Sequence, residues 1–208
     1  MFPTVVGARI ARPRNNTRIP PLHNKNPQHL DRILRICYDM HTILKQVIVT
    51  SKGTPKTNAM RILEKEKIAY QMHTYDAGDK IDGISVAEKI GTDPNRVFKT
   101  LVTQGKSGEY YVFVIPVAAE LRLKQAAAVV GEKSVEMIHV KDINRVTGYI
   151  RGGCSPVGMK KQYRTVIDAS AENLDTLIVS GGKIGFQIEL APQDLLRAAQ
   201  AEFGEIAI

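Results

Sequence analysis

The 208-residue chain has two cysteines, Cys37 and Cys154, too few for a disulfide framework. Neither belongs to a CxxC pair or to a Cys/His cluster with zinc spacing, so no metal site is expected. No apolar run approaches the ~20 residues that cross a bilayer. Residues 1 to 20 are interrupted by Pro13 and Pro20 and lack the apolar stretch of a secretory signal. A reducing cytosol is the simplest compartment for such a chain, and no membrane partner is expected.

Acidic residues are nearly missing from the first quarter. Residues 1 to 53 hold nine Lys/Arg and two acids, Asp31 and Asp39, which is +7 of the total +8. The remaining 155 residues hold twenty bases and nineteen acids, which is +1. The sequence pI near 9.5 therefore describes one segment and is no evidence that the whole chain binds polyanions. Half of the ten prolines lie there too, and up to His29 nothing is periodic. From Leu30 to Val49 apolar residues fall near helical spacing. A basic RNA-binding arm, a disordered tail and an upstream stretch included by a misplaced start all fit this segment.

With 43% hydrophobic and 24% charged residues the rest can bury a core. Thr54-Pro55 reads as a cap and a first-turn proline for a helix running to about Lys67. Tyr70 to Tyr75 alternates as a strand, and Asp76 to Gly83 reads as a loop. Ser85-Val86-Ala87-Glu88 has the form of a capping box before a helix stopped by Gly91, and Asp93-Pro94 opens another helical turn. Val97–Gln104 and Glu109–Pro116 form a hairpin pattern, followed by an Ala-rich helix from Leu123 to Val130. A short run at Val135–Val140 and a polar helix near Lys141–Arg145 come next, before the irregular stretch from Thr147 to Lys161. Thr165–Asp168, Thr176–Ser180 and Phe186–Leu190 are strand candidates, and Pro192–Ala201 is a final helix. Without regular βαβ alternation, these elements suit a single α+β domain with a mixed sheet.

Neither a Walker loop nor GxGxxG nor GxSxG is present. What stands out is Gly152-Gly153-Cys154-Ser155-Pro156-Val157-Gly158. Such a loop can converge backbone N–H groups on an anion or carbonyl oxygen, or can simply be a tight connection. Ser180-Gly181-Gly182-Lys183 offers the same alternatives, close backbone approach or a hairpin turn. Lys99, within Phe98-Lys99-Thr100-Leu101, points to solvent or, if its face lines a pocket, anchors phosphate. His73 reads as structural, and Cys154 has no histidine nearby in sequence to activate it as a nucleophile.

Taken as an ordered set, seven segments resemble the YbaK/EbsC family of free-standing Cys-tRNA(Pro)/Cys-tRNA deacylases, relatives of the editing domain of prolyl-tRNA synthetases. These are Thr57-Asn58-Ala59-Met60, His73-Thr74-Tyr75, Val97-Phe98-Lys99-Thr100-Leu101, Val135-Glu136-Met137, Thr147-Gly148-Tyr149 and the two glycine loops. The resemblance covers about Thr54 to the C-terminus. It implies an α+β domain at 54–208 with a barrel-like core, preceded by an extension at 1–53 that is disordered or reflects a misassigned start near Val47 or Val49. It also implies trans-editing, the hydrolysis of mischarged aminoacyl-tRNA, with the cysteine substrate's own thiol attacking its carbonyl and no cofactor. Lys99 would engage the terminal adenosine's phosphate, and Gly152 and Gly153 would present backbone donors. Tyr75, Thr100, Ser180 and Gln187 would line the substrate site. Mischarged tRNA is the implied substrate and prolyl-tRNA synthetase a possible partner. The alternatives are an editor of Ala-tRNA(Pro) or another small amino acid, and a non-catalytic tRNA- or synthetase-binding module. Cys154, Ile184 and Gln187 depart from the family pattern, which has an aliphatic, a basic and in some members an acidic residue there.

Overall fold

The computed structural model describes residues 55–76, 78 and 82–208. The expectations for residues 1–53, including the helix over Leu30–Val49, lie outside the described residues.

The first helix, α1 (Asn58–Lys65), starts three residues later than Thr54-Pro55 suggests, because Thr57 is the cap and accepts from the Met60 N–H. Its Ala59, Met60 and Leu63 are buried. Strand β1 (Gln71–Thr74) leads to α2 (Gly83–Ile90). There Asp82 is the cap, and Ser85, the expected cap, sits in the first turn and donates to Asp82 through both N–H and hydroxyl. Gly91 ends α2 in the left-handed conformation, as its sequence indicates. A 3₁₀ turn at Pro94–Arg96 feeds β2 (Phe98–Gly105), which pairs antiparallel with β3 (Tyr110–Pro116). Next come α3 (Leu123–Val130), β4 (Val135–Met137), α4 (Val140–Thr147) and β5 (Arg164–Asp168). The chain continues through β6 (Leu177–Ser180), β7 (Phe186–Leu190), α5 (Pro192–Ala199) and β8 (Ala201–Gly204).

The barrel-like core implied by the resemblance is not formed. The strands make two open sheets, β1-β7-β6 and β4-β2-β3-β5-β8. The second is mixed, since β5 runs parallel to both β3 and β8. Among the described residues the sheets meet edge to edge at one parallel bridge, Val97 with Ile178. Past that point β2 turns to β4 for its partner, from Thr103 onward. Closure fails because β2 and β6 separate after one residue pair.

One apolar cluster, around Met60, Leu63, Val179, Ile188 and Leu195, fills the space between α1, α5 and the three-stranded sheet. A second, around Phe113, Ile115, Val130 and Ile206, lies on one face of the five-stranded sheet under α3. Asp168 is buried and secures the chain end, with Oδ2 accepting from Ile206 N–H (3.1 Å) and Ala207 N–H (2.9 Å). Strand β8, which carries the segment there, is missing from the sequence reading, which extends the last helix to Ala201.

Thr103 is fully buried in β2, and its hydroxyl has no partner among the described residues. An unmade buried hydrogen bond costs about 1–3 kcal/mol, so Thr103→Val, nearly the same shape, should stabilise the fold by about 1 kcal/mol. A rise in thermal midpoint with unaltered activity is the expected result, and a fall would show that the hydroxyl has a partner.

Candidate functional site

Antiparallel pairing with β3 uses the backbone groups of alternate β2 residues. Val97 accepts from Val117 N–H, and Gly105 donates to Glu109 O. By that alternation the N–H and C=O of Thr100 face the other edge, between the end of the β6 bridge and the start of β4. At this split a cleft of about 370 Å³ opens. One wall is Val97–Leu101 of β2. Ser180 and Gln187 of β6 and β7, together with Tyr75, form the second, and Arg151, Gly152 and Cys154 the third.

Six of the seven residues singled out from sequence meet here: Tyr75, Lys99, Thr100, Gly152, Ser180 and Gln187. Gly153 does not line the cleft. Its N–H already donates to Ile150 O (3.0 Å), and a Cβ on it would lie 3.0 Å from Ile184 N and 3.2 Å from Lys183 Cα. It locks the two glycine loops together. On either side of it, the N–H groups of Gly152 and Cys154 have no partner among the described residues, and both residues line the cleft wall.

Tyr149 sits beneath both loops. Its hydroxyl donates to Val157 O (2.7 Å), and its ring lies where a Cβ on Gly182 would stand, 3.0 Å from Cε1. Gly182 has φ of +92°, so it must be glycine on conformational grounds as well. The shape of the rim follows from these close approaches. Ser180 stabilises the second loop by accepting from Gly182 N–H.

The Lys99 ammonium donates to Val117 O at 3.0 Å. Burial holds its pKa below the ordinary lysine value, partly offset by the charge of Glu120. Val117 escaped the sequence reading because it acts through its carbonyl, which no residue type reveals. The hydroxyls of Tyr75 and Thr100 are buried and unpartnered among the described residues, and both side chains line the cleft. A hollow of similar size, about 400 Å³, lies by Lys106, Tyr110 and Arg145 at the far end of the hairpin, but no such unpartnered buried atom lines it. Buried donors without a partner mark a place where a ligand can supply one.

Cys154 is a poor nucleophile, since burial pushes its thiol pKa up to about 11. His73 does not line the cleft, and its Nε2 lies 2.7 Å from Glu189 Oε2. Glu189 also accepts from Arg96 (2.6 Å) and Thr176 (2.5 Å). This group ties the turn before β2 to β7 and β1, beside the Val97–Ile178 bridge. Among the described residues no His/Cys/Asp/Glu group could hold a metal ion.

The profile of the family described as the aminoacyl-tRNA editing domain matches residues 82–198. Over 156 residues the chain is 47% identical to the candidate Cys-tRNA(Pro)/Cys-tRNA(Cys) deacylase EbsC of Enterococcus faecalis, spanning 74% of this chain and 95% of that protein. A proline–tRNA ligase of Brachyspira hyodysenteriae is 25% identical over 143 residues, which is 66% of this chain and 25% of the ligase. Two solved structures share the fold. A candidate trans-editing enzyme for prolyl-tRNA synthetase has a TM-score of 0.66 at 20% identity, covering 74% of this chain and 99% of that one. The hypothetical protein APE2540 has 0.68 at 19% identity, covering 73% and 100%.

The Glu189 group yields a pH prediction. Burial alone would raise the Glu189 pKa, but hydrogen bonds from Thr176 and His73 and the charge of Arg96 outweigh it and leave the pKa below the usual carboxylate value. Its stabilising contribution is then complete above the unfolded-state pKa and is lost as pH falls through the lower folded-state value. Glu189→Gln should lower the thermal midpoint at neutral pH and flatten its decline in acid. A variant with the same acid limb as wild type would show that Glu189 does not hold this corner.

Proposed function

The chain belongs to the YbaK/EbsC family within the superfamily of prolyl-tRNA synthetase editing domains, and from that premise we propose that its cleft clears cysteine from Cys-tRNA(Pro). The protein is an aminoacyl-tRNA deacylase acting in trans, hydrolysing the ester between a wrong amino acid and the 3′ end of tRNA. The observation that carries the site assignment is the pair of buried, unpartnered hydroxyls of Tyr75 and Thr100 beside Lys99 in one cleft. The working unit is residues 54–208.

In this reading Lys99 holds the phosphate of the terminal nucleotide as a point charge, with Val117 O fixing its ammonium. Gly152 N–H, with Cys154 N–H beside it, stabilises negative charge on the ester carbonyl oxygen. Tyr75, Thr100, Ser180 and Gln187 hold the aminoacyl ribose and the amino acid. An aminoacyl ester is already activated, so positioning supplies much of the rate. The substrate's sulfur forms a bond to the carbonyl carbon, the ester C–O bond breaks, and the ribose oxygen leaves with the proton given up by the thiol. Water then hydrolyses the sulfur–acyl bond to free cysteine. Cys154, with its thiol pKa near 11, supports a protein that contributes no nucleophile.

A relative in fold is named as a trans-editing enzyme for prolyl-tRNA synthetase, and that synthetase is the proposed partner besides tRNA. Among the described residues no helix is long and apolar enough to cross a membrane. The cytosol, where charged tRNA is used, is the proposed place of action.

Hydrolysis of Cys-tRNA(Pro) and Ala-tRNA(Pro), with and without the synthetase, tests the substrate: the Cys ester should be cleaved preferentially, and cleavage of the Ala ester alone would overturn the choice. Lys99→Ala should lower kcat/KM by roughly tenfold or more, the scale of losing a charged hydrogen bond worth about 1.5–3 kcal/mol. Cys154→Ser should retain activity within about twofold, and a large loss would return the thiol to the mechanism.

A further inference from the structure

The near-neutral charge of residues 54–208 conceals an uneven distribution. From Ile143 to Ile167 there are five bases and no acid. Two of the five are neutralised locally. Arg145 pairs with Asp142 at 3.0 Å, and Arg164 pairs with Glu202 at 2.8 Å while also donating to the last carbonyls of α3. Arg151, Lys160 and Lys161 are exposed and have no carboxylate partner among the described residues. Among the described residues the Lys160 ammonium donates to Asn144 O, at 3.0 Å.

This segment begins at α4 and becomes the cleft wall, with Arg151 on the lining next to Gly152. It then returns to α4, since Lys160 N–H donates to Thr147 O and the Lys160 side chain packs on Gly148. Lys183 joins the same rim. Its backbone lies against Gly153, and its exposed ammonium stands over the Phe186 ring at 5.5 Å with no carboxylate partner among the described residues. Four cations thus stand on two loops that lock together at Gly153, extending from the cleft mouth toward the C-terminal end of α4.

Resting on the deacylase reading above, we propose that this rim binds the phosphodiester backbone of the tRNA acceptor arm, with Arg151 and Lys183 nearest the 3′ end and Lys160 and Lys161 farther along the stem. A fixed polyanion entering the cleft needs cations along its exit path, and neutralised phosphates release counterions, so the interaction weakens steeply with salt. The surface contributes affinity and direction. Base identity is not read there, because binding to phosphate carries no sequence information.

The test is binding of uncharged tRNA(Pro) by the full chain across a salt series, together with hydrolysis of 3′-cysteinyl-AMP, which keeps the phosphate assigned to Lys99 but has no acceptor stem. Lys160→Gln/Lys161→Gln should weaken tRNA binding roughly tenfold near 0.1 M salt and reduce the slope of log K against log salt by about two, one for each phosphate left without its lysine. Lys161→Glu, at an exposed position with no partner, should move both in the same direction with no effect on folding. Turnover of 3′-cysteinyl-AMP should match wild type in both variants. Unchanged affinity and slope, absence of wild-type tRNA binding, or equal loss on 3′-cysteinyl-AMP would each overturn the surface. A wild-type protein that binds tRNA with the predicted slope yet leaves Cys-tRNA(Pro) and 3′-cysteinyl-AMP intact would overturn the deacylase reading and leave the surface standing.

Discussion

Between its single bridge to β6 and its pairing with β4, strand β2 leaves Thr100 with backbone groups facing open space. The proposed site depends on this gap in strand pairing. Had β2 and β6 continued side by side, the two sheets would have closed and the cleft would not exist. Unpaired strand edges are normally a liability. Here the edge is short, lies inside a cleft and is flanked by a glycine loop, so another chain cannot add to it while a small ligand can reach it. The Glu189 group, gathering His73, Arg96 and Thr176 beside the bridge, fixes where the strands part.

The gap also determines the style of chemistry. A backbone-lined cleft offers N–H groups, hydroxyls, the Lys99 ammonium and the Arg151 guanidinium, all suited to holding an ester and its phosphate. Among the described residues the one carboxylate on its lining, Asp82, is taken up by Ser85 N–H and hydroxyl as the cap of α2, and the Cys154 thiol pKa is near 11. An enzyme built this way can act only on a bond that is already activated, and an aminoacyl ester meets that condition.

Local elements were legible where a cap or stop residue announces them. Gly91 and Gly131 end α2 and α3 as their sequence contexts predict, and the 97–116 hairpin follows from two β-rich runs around Gly105 to Gly108. Strand β8 was not legible, because its parallel pairing to β5 is a tertiary fact and Ala201-Glu202-Phe203-Gly204 carries little strand signal of its own. The cap of α1 was misread for a related reason: Thr54-Pro55 satisfies the local rule, but Thr57 also donates to Gly181 O, a partner 124 residues away that fixes the helix start. In the site, side chains recognisable by motif were found and backbone participants were missed. Val117 O holds Lys99, and Gly153 spends its N–H within its own loop, neither of which a residue type can announce. The barrel expectation came from the resemblance and failed because β2 and β6 part after the Val97–Ile178 bridge, which no local pattern records.

The +8 net charge, informative at first sight, lies almost wholly outside the described fold, while within the fold Arg151, Lys160, Lys161 and Lys183, none with a carboxylate partner among the described residues, stand on the two loops that form the rim. That placement suits an editor better than uniform basicity would. Strong binding everywhere on tRNA would hold correctly charged molecules as tightly as wrong ones, because their phosphates are identical. A cleft of this size separates amino acids differing by one methylene by only about 1–3 kcal/mol. In the proposed reading, discrimination rests on a step that only the wrong substrate can take, the attack of a thiol carried by the amino acid. Moderate, local affinity at the proposed rim would then let correctly charged tRNA leave before anything happens, and a cleft that contributes no nucleophile would be the source of selectivity.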